Sequence, residues 1–514
     1  MDVIFLNACI SLDRTTLYRT LGPYQLAWYL RENGYQAQVL DFVFKFTDEE
    51  IMQLLKKYIT RETKIVGIGM MIGFDHPNVA SIARKFENIF EKIKIRYPWI
   101  TTVVGGSAGP NWARENRNKR IFDYVLTGYA ENTILALCDH LAKGAPRPQF
   151  EMLNGNRFIK DSFIMPGGNR FSIESSRHQW HQADYIQPGE TLPLELGRGC
   201  IFKCKFCRYP HIGKKKNDFR RSMECIKEEL VSNYERWQVT NYYMLDDTFN
   251  ADQNQIREFA EMVKTLPFRV RYITYLRPDL LHSYPESVDL LLESGLSGAY
   301  LGVETLHEQA GKVIDKPWGA RHAREFLPTL YHKTWNQQVA IKIGFICGLP
   351  PETFDSCLET NKWMIESEFP DWVWYPLGLV RDNHTEHLSE FDRNAADYGF
   401  EWVVHEGKLS WKTAYCTSPL AKEWKDQLRN QAKPYIKYSS WELFELANYG
   451  YDIDQTMKLH VLKTDWKQLA SRRDTWLQTY YNQLLGKTPG FGEMDIISVF
   501  ETEGGSSILS SPTN

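Results

Sequence analysis

Five short runs of nearly continuous apolar residues punctuate the start of the chain: DVIFLNA (2–8), QAQVLDF (36–42), KIVGIGMM (64–71), TTVVGG (101–106) and DYVLTG (123–128). Between them lie LGPYQLAWYLRENG, EEIMQLLKKYI and VASIARKFENIFEKIK, in which apolar residues recur every three or four positions. A short strand without polar alternation is buried on both faces, and a helical crossover returns the chain parallel to it. The pattern predicts an N-terminal doubly wound, Rossmann-like parallel sheet over residues 1–145. Ligands of such sheets bind outside the carboxyl ends of the strands, and those ends are Gly-rich here: Gly105-Gly106-Ser107-Ala108-Gly109 and Gly128-Tyr129-Ala130-Glu131. Tight turns alone would also account for these glycines.

Residues 146–185 are rich in Pro, Gly, Asn and Ser and read as a linker. Alternation then resumes over 186–380. Strand-like runs at 191–196, 241–247, 269–277, 298–304, 338–349 and 372–380 are separated by helical patterns at 222–238, 252–267, 285–295, 320–337 and 353–369. Six β/α units with no reversal point predict a partial (β/α)6 barrel, whose active site belongs at the carboxyl ends of its strands. From 381 the alternation stops. The region 381–514 mixes tryptophans (Trp402, Trp411, Trp424, Trp441, Trp466, Trp476) with helical stretches such as SSWELFELANYG. It reads as a mostly helical extension carrying substrate specificity, with a flexible tail, ETEGGSSILSSPTN. The fold class is therefore α/β, in three parts.

Composition narrows the function little. At 514 residues, two or three domains are expected, and 43% hydrophobic with 24% charged residues is ordinary for a globular protein. No apolar run reaches membrane-spanning length, and the start MDVIFLNACISLDR lacks a basic leader, so no membrane partner is expected. A net charge of −3 argues against a general nucleic-acid binder. Of nine cysteines, six (Cys9, Cys138, Cys225, Cys347, Cys357, Cys416) are scattered, which fits a reducing, cytoplasmic setting.

The other three change the picture. Cys200, Cys204 and Cys207 stand in RGCIFKCKFC, directly after the first barrel strand. With His211 they could close a Cys3His zinc site. Alternatively they hold three irons of a 4Fe–4S cluster and leave the fourth iron open to a substrate. The polar residues Asp246-Asp247-Thr248, Arg277, Glu304 and Glu352 recur at or just after the ends of later strands, as does Gly344-Phe345-Ile346-Cys347-Gly348. Together with Cys200-x-x-x-Cys204-x-Phe206-Cys207 they resemble the radical S-adenosylmethionine (SAM) superfamily.

A Rossmann-like sheet before such a barrel is similar to the cobalamin-binding radical SAM family. That resemblance implies a 4Fe–4S cluster on Cys200, Cys204 and Cys207, with SAM on its open iron. It places SAM near the backbone of Phe206, Asp246, Asp247, Arg277 (its carboxylate), Glu304 (its ribose), and Gly344, Ile346 and Gly348 (its adenine). It places cobalamin against Leu21, Gly22, Gly105, Gly106, Ser107, Gly128, Tyr129 and Glu131, where bulk at Gly105 or Gly106 would block the ligand. The implied activity is methylation of an unactivated carbon through a 5′-deoxyadenosyl radical and methylcobalamin. An electron donor such as a flavodoxin or ferredoxin would serve it, and the substrate would be a small molecule or a peptide. Cyclisation or rearrangement without methyl transfer is the alternative within the family. Outside it, a non-catalytic metal-knotted scaffold could use the basic stretch 203–221 to bind RNA or another partner; the same stretch also reads as a substrate rim or a solvated loop. A methylthiotransferase is disfavoured because the sheet region lacks a second cysteine cluster. The loop ACISLDRTTLYRTLG has no histidine where many relatives present one to cobalt. A His-free lower face is expected, and His76 is the residue that could overturn it.

Overall fold

The computed structural model describes residues 1–10, 17–72, 79–106, 109, 112, 121–153, 155–160, 171–174, 176–208, 219–316, 318–381, 388–437, 446–449 and 466–487. Seven strands form the first sheet: β1 (Val3–Ile10), β2 (Ala37–Leu40), β3 (Ile65–Ile72), β4 (Thr101–Gly105), β5 (Tyr124–Thr127), β6 (Glu151–Leu153) and β7 (Asn156–Lys160). Their order is β2-β1-β3-β4-β5-β7-β6, and every neighbouring pair is parallel except β6–β7. Helices Leu21–Glu32, Asp48–Tyr58, Val79–Arg96 and Ala130–Lys143 make the crossovers. The helix Asp48–Tyr58 starts at a capping box, in which Thr47 Oγ1 accepts from Glu50 N while the Glu50 carboxylate accepts from Thr47 N.

Part of the segment expected as linker is structured. β7 pairs with β5 and β6 folds back on it, with Gly155 between them at φ +82°. An Asn-Gly pair between two extended runs is a hairpin signal, and here it outweighs the polar composition. Further along the same segment, Trp180 is fully buried in the core.

The second sheet contains β8 (Leu192–Leu194), β9 (Asn241–Met244), β10 (Arg271–Leu276), β11 (Leu296–Glu304), β12 (Ala340–Cys347) and β13 (Trp372–Pro376). All are parallel and stand in chain order, so β8 and β13 are its two edges. This is the expected partial barrel. One face packs on helices, burying Tyr242, Tyr272, Ala299, Leu301, Ile343 and Phe345, while the alternate positions face the lumen.

The C-terminal region contains more than helices. β14 (Glu401–His405) and β15 (Lys408–Lys412) form a hairpin turned at Glu406 and Gly407, both at positive φ. In the second strand KLSWK (408–412) alternates polar and apolar residues with period two, and EWVVH before it is rich in Val and Trp, both strand signals. Helix Ser418–Ala432 lies beside β13, and helix Trp466–Leu485 returns to the first sheet, where Tyr480 and Trp476 meet Phe42 edge-on. Arg19 ties these parts together. It is fully buried, paired with Glu190 at 2.7 Å, donates to Tyr24 OH and to the carbonyls of Asp184 and Tyr185, and lies over the ring of Tyr480. The two sheets share continuous apolar cores, so they pack against each other directly. Among the described residues no helix is long and apolar enough to cross a membrane.

Candidate active site

The cysteine loop leaves β8 and is fastened at both ends. On its near side Asp246 is buried beneath it and accepts from Leu196 N at 3.0 Å and Gln255 Nε2 at 3.3 Å. Burial pushes its carboxyl up to about 7. Asp246 is thus an anchor for the loop, while Asp247 stays half-buried at the end of β9. On the far side Lys205 N donates to Ile314 O, Phe391 N donates to Lys205 O, and Arg208 grips Asp392 through two bonds of 2.7 and 3.1 Å. Residues Glu390–Arg393 of the C-terminal region therefore brace the loop, a role their sequence does not announce.

Cys200, Cys204 and Cys207 are half-buried, and none is in a disulfide. Cys200 Sγ lies 3.3 Å from Thr248 Oγ1, and Arg277 Nη1 donates to Cys204 Sγ at 3.4 Å. Burial pushes the Cys204 thiol up, opposed by the nearby cations Lys316 and Arg277. Among the described residues no three His, Cys, Asp or Glu side chains converge as one metal ion would require. Three thiols on one loop match a donor set for a cluster, which takes one thiolate at each of several irons. His211 and the basic positions 209–218 lie outside the described residues.

Around this loop the strand ends supply charge. Arg277 is held by Asp279 at 2.7 and 3.1 Å and lies 4.0 Å over the Phe202 ring, while Asn250 brackets its backbone with two hydrogen bonds. Glu304 ends β11 at φ +72°, strained for a side-chain-bearing residue, and Lys316 Nζ holds its carboxylate at 3.1 Å. Phe206 packs against the main core. On β12, Ile346 is buried, Gly344 lies under the Tyr300 hydroxyl, and Gly348 is covered by Ala421 and Trp411 of the C-terminal region. Beyond it, Glu352 is buried and accepts from Thr305 Oγ1 at 2.8 Å.

Glu352 gives a pH test. Burial pushes its carboxyl up from 4.5 to about 8. The folded chain then keeps a proton that the unfolded chain has lost. Stability falls as pH rises through that window, by about 1.4 kcal/mol per pH unit. Glu352→Gln, a neutral isostere that still accepts from Thr305, should raise the melting temperature at pH 8 and flatten its decline between pH 5 and 8. An unchanged slope would show the carboxyl already ionised in the fold.

The first sheet presents its carboxyl ends to the same region. Gly105 and Gly128 end β4 and β5, Gly128 at φ +76°, and Leu21 and Gly22 open the first helix, Gly22 with open space around it. Gly106 carries a constraint of its own: at φ +85°, a Cβ there would run into the Met70 backbone, so the protein's own packing also requires this glycine. Ser107, His76 and residues 11–16 of the first-strand loop lie outside the described residues. Tyr18 from the described part of that loop meets Tyr243 of β9, ring centres 5.7 Å apart.

Arg198, two positions before Cys200, joins the two halves. It binds Glu195 through Nε and Nη2 at 2.8 and 2.9 Å, reaches Glu131 with Nη1 at 2.7 Å, and stacks over Tyr129. The sequence reading passed over it; the signal was its place inside LGRGC, immediately before the first cysteine.

Residues 194–364 match the Radical SAM superfamily. The chain is 22% identical over 400 residues to cytidylyl-2-hydroxyethylphosphonate methyltransferase of Streptomyces wedmorensis, covering 68% of this chain and 73% of that one. Its fold is similar to that of TsrM, a radical S-adenosylmethionine methyltransferase from Kitasatospora setae solved with cobalamin and a [4Fe-4S] cluster. The TM-score is 0.62 at 14% identity over 94% of this chain and 100% of that one. It is also similar to OxsB, a cobalamin-dependent S-adenosylmethionine radical enzyme, with TM-score 0.59 at 14% identity over 95% and 79% of the two chains. Residues 194–364 are thus a radical SAM domain, and the chain as a whole has the fold seen in TsrM and OxsB.

Proposed function

We propose that the chain is a cobalamin-dependent radical SAM methyltransferase acting on an unactivated carbon. The observation that carries this reading is the bridge just described. One guanidinium, Arg198, links the three-thiol loop at the end of β8 to Glu131 beyond the end of β5. The places where two different cofactors would sit are thereby held face to face.

Cys200, Cys204 and Cys207 would hold the cluster, and Phe206, Asp247, Arg277, Glu304 and Ile346 would surround SAM. Leu21, Gly22, Gly105, Gly128, Tyr129 and Glu131 would line the corrinoid. When bound, cluster and SAM supply one-electron cleavage of a sulfonium, and the corrinoid supplies a methyl carrier. The chain's own residues orient and enclose. Lys316 neutralises Glu304 while fixing it at the strand end, and Arg277 keeps positive charge against Cys204, favouring a thiolate there. Asp279 limits how far that cation can move. Methyl transfer is preferred over rearrangement because two of the similar proteins are named methyltransferases.

Anaerobically reconstituted chain, desalted after incubation with hydroxocobalamin, should retain corrinoid absorbance. With SAM and reduced flavodoxin it should form both S-adenosylhomocysteine and 5′-deoxyadenosine. Loss of the corrinoid on desalting would overturn the cobalamin assignment. Formation of 5′-deoxyadenosine with no S-adenosylhomocysteine would replace methyl transfer by rearrangement.

A further inference from the structure

Large apolar side chains on the lumen face of the barrel sheet are partly exposed to solvent. Leu245 just after β9 is 40% exposed, Tyr275 on β10 40% and Tyr375 on β13 38%. Side chains at the alternate positions, Met244, Leu276 and Trp374, are buried on the helix side. The exposed set therefore shares the inner face.

Tyr300 of β11 completes the set. It stands opposite Tyr275 in the β10–β11 register, with ring centres 5.0 Å apart and planes at 50°. Its ring lies across Gly344 on β12, where an added Cβ would overlap the hydroxyl, and that hydroxyl lies near Tyr375 of β13. A glycine on the intervening strand is what lets the Tyr300 ring lean across β12 toward β13. The result is a continuous wall of rings across four strands, one layer deeper than Arg277 and Glu304.

The cations near the wall have carboxylate partners. Lys342 pairs with Asp371 at 3.4 Å, Lys316 with Glu304 and Arg277 with Asp279. The wall thus offers π faces, one leucine side and phenol hydroxyls, and these three cations beside it are neutralised. Bare apolar surface inside a concave site marks a place that a ligand covers. Tilted ring pairs of this kind accept a third flat ring by stacking or edge contact, while hydroxyls address polar atoms on its rim.

We propose that Leu245, Tyr275, Tyr300 and Tyr375 seat the substrate, and that the seated group is an uncharged planar aromatic or heteroaromatic ring with hydrogen-bonding edge atoms. This rests on the barrel lumen being the substrate side of the enzyme proposed above.

The test is binding, read by saturation-transfer NMR on the full cluster-reconstituted chain, with indole and cytidine as aromatic probes and cyclohexylmethanol as a saturated one. Indole or cytidine should bind and cyclohexylmethanol should not. Tyr275→Leu should weaken the aromatic probe about tenfold, the size of one lost stacking contact. Tyr275→Phe should retain most of the binding, and Tyr435→Leu, on an exposed tyrosine of the C-terminal region, should leave it unchanged. Circular dichroism and the melting temperature guard against misfolding of Tyr275→Leu. A melting temperature well below wild type would move the test to Tyr375→Leu, with the same expectation. Equal binding of cyclohexylmethanol, or wild-type affinity in a folded leucine variant, would overturn the proposal. Displacement of the aromatic probe by hydroxocobalamin would also overturn it, by making the wall part of the corrinoid site. Corrinoid retention and iron content are measured separately, so failure here is distinguishable from failure of the methyltransferase reading.

Discussion

Cys200→Ala, Cys204→Ala and Cys207→Ala are each expected to lose the cluster and with it all cleavage of SAM. The measurement is iron and acid-labile sulfide after anaerobic reconstitution, with the near-ultraviolet and visible charge-transfer absorption as a second reading. All three thiols stand on one loop, and none is tied up in a disulfide. Removing one leaves two donors for a centre that needs at least three, and no other cysteine belongs to this loop. The control is Cys225→Ala. Cys225 is 2% exposed in the first turn of helix Met223–Trp237, so its loss leaves a small cavity and should not change iron content. Full iron retention in the triple alanine variant would remove the cluster from this loop altogether. The loop's supports predict a graded effect by comparison, because Asp246, Arg208 and Asp392 shape the backbone without offering a ligand.

The largest effect on stability is expected at Arg19. Arg19→Met should destabilise the fold by about 3–5 kcal/mol, because it leaves the Glu190 carboxylate buried without its cation. Among the described residues Glu190 would keep the Gln187 N–H at 2.9 Å as its one remaining donor. The same substitution removes donors to Tyr24 and to the carbonyls of Asp184 and Tyr185, so the first-strand loop, the segment before β8 and helix Trp466–Leu485 loosen together. Urea unfolding followed by tryptophan fluorescence reads the loss. The double variant Arg19→Met/Glu190→Met should recover much of it, since a buried pair exchanged for apolar side chains is nearly neutral. A double variant as unstable as Arg19→Met would place the loss in the aromatic stacking instead of the ion pair.

How far the sequence reaches can be judged element by element. The five strands DVIFLNA to DYVLTG and the six of the barrel were legible because each is a short apolar run bounded by helical periodicity. The hairpins turned at Gly155 and at Glu406-Gly407 were not, although a glycine at positive φ stands in each turn. Polar composition in one case and a crowd of tryptophans in the other drew attention from the period of two. At the site, the cysteine spacing is local and could be read directly. Arg198 with Glu131, 67 positions apart, could not, because nothing in either segment specifies the other.

The sequence by itself determined which residues alternate, where strands end in Gly, Asp, Arg or Glu, and that three thiols share one loop. These are short-range properties, set by backbone geometry and side-chain period. Tertiary structure alone decided that Asp246 anchors the loop, that Gly106 is demanded by Met70, and that Asp392 reaches back to Arg208. It also decided that Tyr275, Tyr300 and Tyr375 form one wall. Strand register and the packing of distant segments make such contacts, and both follow from burying many apolar faces at once. No single stretch of the chain encodes that outcome.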